Sequence, residues 1–253
     1  MEGRCGLDLK HILDQVAVCR FKPTQDLSVS FISWVVLVAV LYISFSFGGR
    51  LGYLLYPFPV LLLVGAVFPA FWMVRVRGRS LSEIGLKRRY WLLSLVIGLV
   101  ATALFDVPRL LVLTWMPELI PIFVLAVVSG FFEAIFFSGW LQLRLEESFG
   151  VIPAILVASF YYSLYHIGYG GSWIDVDTLI TLFYVGVFFA CIFRLTKNIL
   201  TVWPFLIPLG AVYDLVKHGT WIPFDAVYGF ILAFMLMVAA LLYLHRVELR
   251  KLK

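Results

Sequence analysis

Apolar runs of about twenty residues recur along this chain, separated by short segments that hold most of its charge. A helix needs roughly 20 mainly apolar residues to cross a bilayer. Eight stretches qualify, with loosely defined ends: 29–48, 52–74, 91–114, 119–143, 151–168, 178–194, 198–215 and 223–244. Of the 253 residues, 62% are hydrophobic and 14% charged, outside the range of soluble globular domains. Backbone groups in lipid must find partners within the chain, which favours helices whose hydrogen bonds are internal. The expected fold is all-α and polytopic, with about eight transmembrane helices.

The charges support this count. Alternate connecting segments place Arg4, Lys10, Arg20, Lys22, the run Arg75 to Arg89, Arg144, Arg194, Lys197 and Arg246 to Lys253 on one side. The opposite side keeps Arg50, Arg109 and Lys217. By the positive-inside rule both termini are expected in the cytoplasm, which requires an even number of spans. The net charge of +5 is therefore assigned to the membrane face, and no nucleic-acid partner is expected. Cys5, Cys19 and Cys191 form no metal-binding spacing or disulfide framework. Glu2, Asp8, Lys10 and Asp14 precede any long apolar stretch, so no signal peptide is expected.

Three parts follow: an N-terminal segment 1–28, a helical membrane domain 29–247 and a basic tail 248–253. Leu7, Leu9, Ile12, Leu13 and Val16 have near-helical spacing, suited either to an interfacial helix or to a weakly ordered basic tail. Ser80-Leu-Ser-Glu83 has capping-box spacing and predicts a brief interfacial helix, with Lys87-Arg88-Arg89 turned to lipid phosphates. Pro204 and Pro208 in one apolar stretch suggest a kink reaching a polar cavity.

Few ionisable residues fall inside the apolar runs. Asp106 and Arg109 can form a local ion pair, and Asp225 sits where a helix start favours a carboxylate. Glu133, His166 and Asp214 lie deeper, on the fourth, fifth and seventh stretches. A carboxylate in hydrocarbon costs about 2.5–3.5 kcal/mol on insertion scales and rarely persists without a purpose. Shielded from water, a glutamate is a stronger base, and beside a histidine it can activate a water. A buried Glu–His hydrogen bond tying two helices together is an equal alternative from placement alone.

The surrounding residues carry a family resemblance. Glu133-Ala-Ile-Phe-Phe-Ser-Gly139-Trp-Leu-Gln142 resembles the first motif of the CPBP (Abi) family, Glu-Glu-x-x-x-Arg followed by Gly and Leu-Gln. Tyr162-Ser-Leu-Tyr-His166 resembles the second, an aromatic residue four positions before His. The family includes type II CAAX prenyl proteases and bacteriocin-processing or immunity proteins. The resemblance implies a prokaryotic cell membrane and an intramembrane endopeptidase. Glu133 would be the general base, His166 would orient the water and Asp214 would support the carbonyl. Tyr162, Ser138 and Gly210 are the expected cavity residues, and membrane lipids and a hydrophobic or lipidated peptide the partners.

The motifs are incomplete. Ala134 replaces the second glutamate, Ser138 the arginine, and Gly210 the histidine of the third motif, which ends at Asp214. Losing one oxyanion donor typically costs about 10²–10³ in rate. One Glu and one His supply two ligands where catalytic zinc usually has three, so no metal or other cofactor is expected. Two further classes remain: a non-catalytic relative acting in binding, immunity or scaffolding, and a transporter with Glu133 as proton carrier. The second lacks the internal repeat and paired broken helices such proteins show.

Overall fold

Thr24 opens the first helix, its hydroxyl accepting the Leu27 N–H at 3.1 Å. Residues 21–47, 49–105, 111, 116–169, 175–212 and 222–251 are described by the computed structural model. Among them all regular structure is helical. Six helices among the described residues are long and apolar enough to cross a membrane: α1 Gln25–Ser46, α2 Leu51–Val76, α4 Pro117–Phe149, α5 Val151–Tyr169, α6 Val176–Thr196 and α8 Ala226–Lys251. Within the third and seventh expected spans the described residues hold α3 Trp91–Phe105 and α7 Trp203–Val212. Residues 7–16, read as an interfacial helix or a weakly ordered tail, and Asp106, Arg109 and Asp214 lie outside the described residues.

Helix α4 forms the centre, with every residue from Gly130 to Glu146 buried. Outer faces remain apolar: Ile32, Val35 and Ile43 on α1 and Met235, Leu242 and Tyr243 on α8 are exposed. Such faces suit contact with lipid tails. Long-range polar contacts tie the outer helices to the centre. Trp140 on α4 donates its indole N–H to Ser33 on α1 at 3.1 Å, and Trp34 on α1 donates to the Tyr161 carbonyl on α5. Buried Asp26 accepts from Trp72 at 2.9 Å and pairs with Arg77 at 2.9 Å, joining the starts and ends of neighbouring helices.

Small residues set the closest approaches. A Cβ on Gly139 would lie 2.1 Å from the Ile84 carbonyl oxygen, so the segment after α2 rests directly on α4. That segment departs from the capping-box expectation. Ser80 caps a single tight turn, Leu81–Ile84, by accepting from Ser82 N–H, while Glu248 of α8 accepts from Ser80 and from Leu81 N–H. Glu83 turns instead towards Arg144. Pro204 sits in the first turn of α7, where its missing N–H has no intrahelical role, and Pro208 lies inside the helix.

Candidate active site on helices α4 and α5

The α-helical turn of α4 ends at Glu133 and gives way to a π-helical stretch, Ala134–Gln142. Such wide turns are rare and recur at functional sites. Here the change has a geometric result. Glu133, Phe137, Ser138 and Gln142 line one cavity, at positions i, i+4, i+5 and i+9. With 3.6 residues per turn, i+9 falls on the opposite face of an α-helix. With about 4.4 residues per turn, a π-helix returns it to nearly the same face. The π stretch therefore gathers the polar side chains of the first motif onto one wall.

The opposite walls come from α5, α6 and α7, including Ser159, Tyr162, Gly186 and Leu206. Gly186 allows the close approach: a Cβ there would stand 3.0 Å from the Ser159 Cα. The cavity volume is about 20 Å³. A single water needs about 10–15 Å³ on this measure, so the space admits a water and not a peptide backbone.

Glu133 is held by tyrosines of α5. Tyr165 donates to Oε1 at 2.9 Å, and the Tyr162 hydroxyl reaches Oε2 at 3.5 Å. Behind Tyr165 the hydroxyls continue to Tyr169, and from Tyr169 to Tyr56 of α2 at 3.0 Å. An ionised carboxylate accepts only, so with Glu133 ionised the Tyr165 proton must point to it. The Tyr165 oxygen then accepts from Tyr169, and Tyr169 accepts from Tyr56. Three hydroxyls thus donate in sequence towards Glu133.

His166 follows at the end of the α-helical part of α5. Its Nδ1 lies 2.8 Å from the Tyr162 carbonyl. A carbonyl cannot donate, so Nδ1 carries the proton and Nε2 is the acceptor nitrogen of the neutral ring. The ring packs on Tyr162 and Tyr165, with centroids at 4.9 and 4.6 Å. Glu133 and His166 are thereby joined through the same two tyrosines: Tyr162 offers its hydroxyl to one and its carbonyl to the other.

Of the expected site residues, Glu133, Ser138 and Tyr162 share the cavity. His166 meets it across Tyr162 and Tyr165. Gly210 faces α4 further up, where a Cβ would stand 3.7 Å from Ala126. Asp214 lies outside the described residues. Among the described residues, no three His, Cys, Asp or Glu side chains converge as a metal-binding group. Sequence reading did not anticipate Tyr165, Tyr169 and Tyr56 as one hydroxyl chain, nor Gln142 as a cavity wall. Gln142 closes the cavity's lower end, its amide donating to Glu146 at 3.2 Å and to the Ala190 carbonyl at 3.1 Å.

A bundle of long apolar helices with a buried carboxylate, histidine and tyrosines defines a polytopic integral membrane protein with a polar site in its interior. Residues 114–205 match the family model described as type II CAAX prenyl endopeptidase, Rce1-like. The resemblance to the CPBP family read from the two motifs is thus shown over the stretch that carries Glu133, Ser138, Tyr162 and His166. No curated protein and no solved structure matches the chain.

Proposed function

We propose that the protein is an intramembrane endopeptidase that cleaves a lipidated or membrane-embedded peptide with water activated by Glu133 and His166. The observation that carries this reading is a carboxylate held by Tyr165 on the wall of a water-sized cavity, with a histidine packed on the same tyrosine. The Rce1-like match of this stretch supports the class of reaction and suggests prenylated peptides as substrates.

In the proposed reaction Glu133 takes a proton from the water as its oxygen attacks the peptide carbonyl carbon. The Nε2 of His166, which packs behind Tyr162 and Tyr165, would accept the water's second hydrogen bond once substrate entry moves those rings aside, and so fix its direction of attack. The carbon–nitrogen bond then breaks, and the proton held by Glu133 passes to the departing amine. General-base catalysis of this kind contributes about 10²–10⁴ in rate. Asp214 is proposed to face the carbonyl oxygen, in its protonated form, because an ionised carboxylate has no hydrogen to donate. No cofactor enters these steps. Substrate entry requires Phe137, Phe189 and Leu206, which fill the cavity walls, to move apart.

The test is cleavage of a farnesylated peptide in liposomes by the wild type and by Glu133→Gln, which keeps the shape and removes the base. A loss of at least about 10²-fold is expected, and His166→Ala should fall comparably. Equal cleavage by the wild type and Glu133→Gln would remove Glu133 from the mechanism. Cleavage by neither, across a panel of lipidated and transmembrane peptides, would favour binding without catalysis.

A further inference from the structure

A second, larger cavity lies at the basic end of the bundle, below Gln142. It has a volume of about 510 Å³, within the 300–1,000 Å³ usual for small-molecule sites. Four cations from three elements line it: Lys87 before α3, Arg144 on α4, and Arg194 and Lys197 at the end of α6. Arg144 is fully buried, although it lies at the membrane-facing end of its helix in sequence. Gly150 and Val151 also line the space. They begin α5, and no side chain caps that helix start. An uncapped helix N-terminus presents backbone N–H groups and the positive end of the helix dipole to an anion.

Three carboxylates share the walls, and each is already engaged. Glu146 lies 3.0 Å from Lys197 and 3.5 Å from Arg194. Glu147 lies 3.1 Å from Arg144, and Glu83 lies 3.6 Å from it. Positive charge remains after this pairing. The Nε–H of Arg144 is buried and has no hydrogen-bond acceptor among the described residues, while that of Arg194 has only the 3.5 Å approach of Glu146. No carboxylate stands within ion-pair distance of Lys87 among the described residues. Burial, and then the charge of Lys197, hold the Lys87 ammonium below the usual lysine range. A buried guanidinium donor without an acceptor is costly, and an oxyanion in the cavity would satisfy it.

We propose that this vestibule binds the phosphate of an anionic phospholipid. The outer face beside it identifies the lipid as the source. Ile152 and Leu156 on α5 and Leu195 on α6 are exposed apolar residues next to the cavity walls. A headgroup phosphate among Lys87, Arg194, Lys197 and the α5 N-terminus would leave its acyl chains along those residues. A soluble phosphate would use the same cations and gain nothing from the apolar rim. This inference is independent of peptidase activity.

The full-length protein, delipidated in a neutral detergent, is titrated with phosphatidic acid, phosphatidylglycerol, phosphatidylcholine and diacylglycerol, and adducts are read by native mass spectrometry. Both anionic lipids should bind at least about ten-fold more tightly than diacylglycerol. Removing two cations in Lys87→Gln/Lys197→Gln should weaken them about thirty-fold, while Lys87→Arg/Lys197→Arg retains them. Millimolar inorganic phosphate should displace neither lipid. Equal binding of diacylglycerol and phosphatidic acid by the wild type overturns the proposal whatever the variants do. Full retention by the double glutamine variant overturns the location. Binding of inorganic phosphate with no preference for anionic lipid overturns the lipid source.

Discussion

Replacing Tyr165 by Phe tests whether the hydroxyl chain, rather than ring packing, holds Glu133. Tyr165 has no exposed surface, and its ring contacts with Phe137 and His166 survive in phenylalanine. What disappears is a donor to Oε1 at 2.9 Å and the acceptor for Tyr169. Hydrogen bonds to charged groups contribute about 1.5–3 kcal/mol. Neutral ones between membrane helices average about 0.6 kcal/mol. The substitution should therefore destabilise by about 2–3.5 kcal/mol, mostly through Glu133. Tyr162 gives the contrast. Its hydroxyl stands 3.5 Å from Oε2, at the limit of a useful bond, so its coupling to the carboxylate should be small. Double-mutant cycles with Glu133→Gln isolate each pair. Unfolding by SDS in mixed micelles should give a coupling of about 1.5–3 kcal/mol for Tyr165 and under about 0.5 kcal/mol for Tyr162. Equal couplings, or a larger one for Tyr162, would refute the assignment of Tyr165 as the residue that holds the carboxylate.

Gly139→Ala should destabilise by at least about 1–3 kcal/mol, because its Cβ would meet the Ile84 carbonyl oxygen at 2.1 Å and backbone cannot rotate away. Gly210→Ala, whose Cβ would meet Ala126 at an ordinary 3.7 Å, should stay within about 0.5 kcal/mol, and thermal unfolding in detergent compares the two. Lys87 also sets a pH dependence. Its protonated form binds an anion and is lost as pH rises through its lowered value, so lipid retention should weaken before an ordinary lysine would deprotonate. In Lys87→Arg that alkaline loss should vanish; an identical pH profile in both proteins would separate Lys87 from the anion.

The membrane fold and the Glu133 and His166 pair were legible because lipid imposes simple rules. Apolar runs of spanning length and ionisable groups inside them stand out without any tertiary information. The details that build the site did not stand out. Gln142 falls on the wrong face of Glu133 under α-helical spacing, and the π stretch that corrects it has no local signature in Ala134–Gln142. Tyr56 and Tyr169 are distant in sequence, and a tyrosine in an apolar run is equally suited to packing. Arg144 reads as a charge at a helix end. Its burial depends on Met73 and Glu83, from two other elements, closing around it beside Trp140 of its own helix.

The two polar regions are stacked along α4, with Glu133 and Arg144 eleven residues apart. Gln142 stands between them. It forms a wall of the small cavity, while its amide donates to Glu146, a wall of the large one. A buried amide left without partners loses its hydration for nothing in return, so Gln142 is stable in this position only while Glu146 and the Ala190 carbonyl accept from it. Glu146 is in turn held by Lys197 and Arg194. One chain of contacts, from Lys197 and Arg194 to Glu146 and on to Gln142, thus runs from the vestibule to the floor of the cavity beside Glu133.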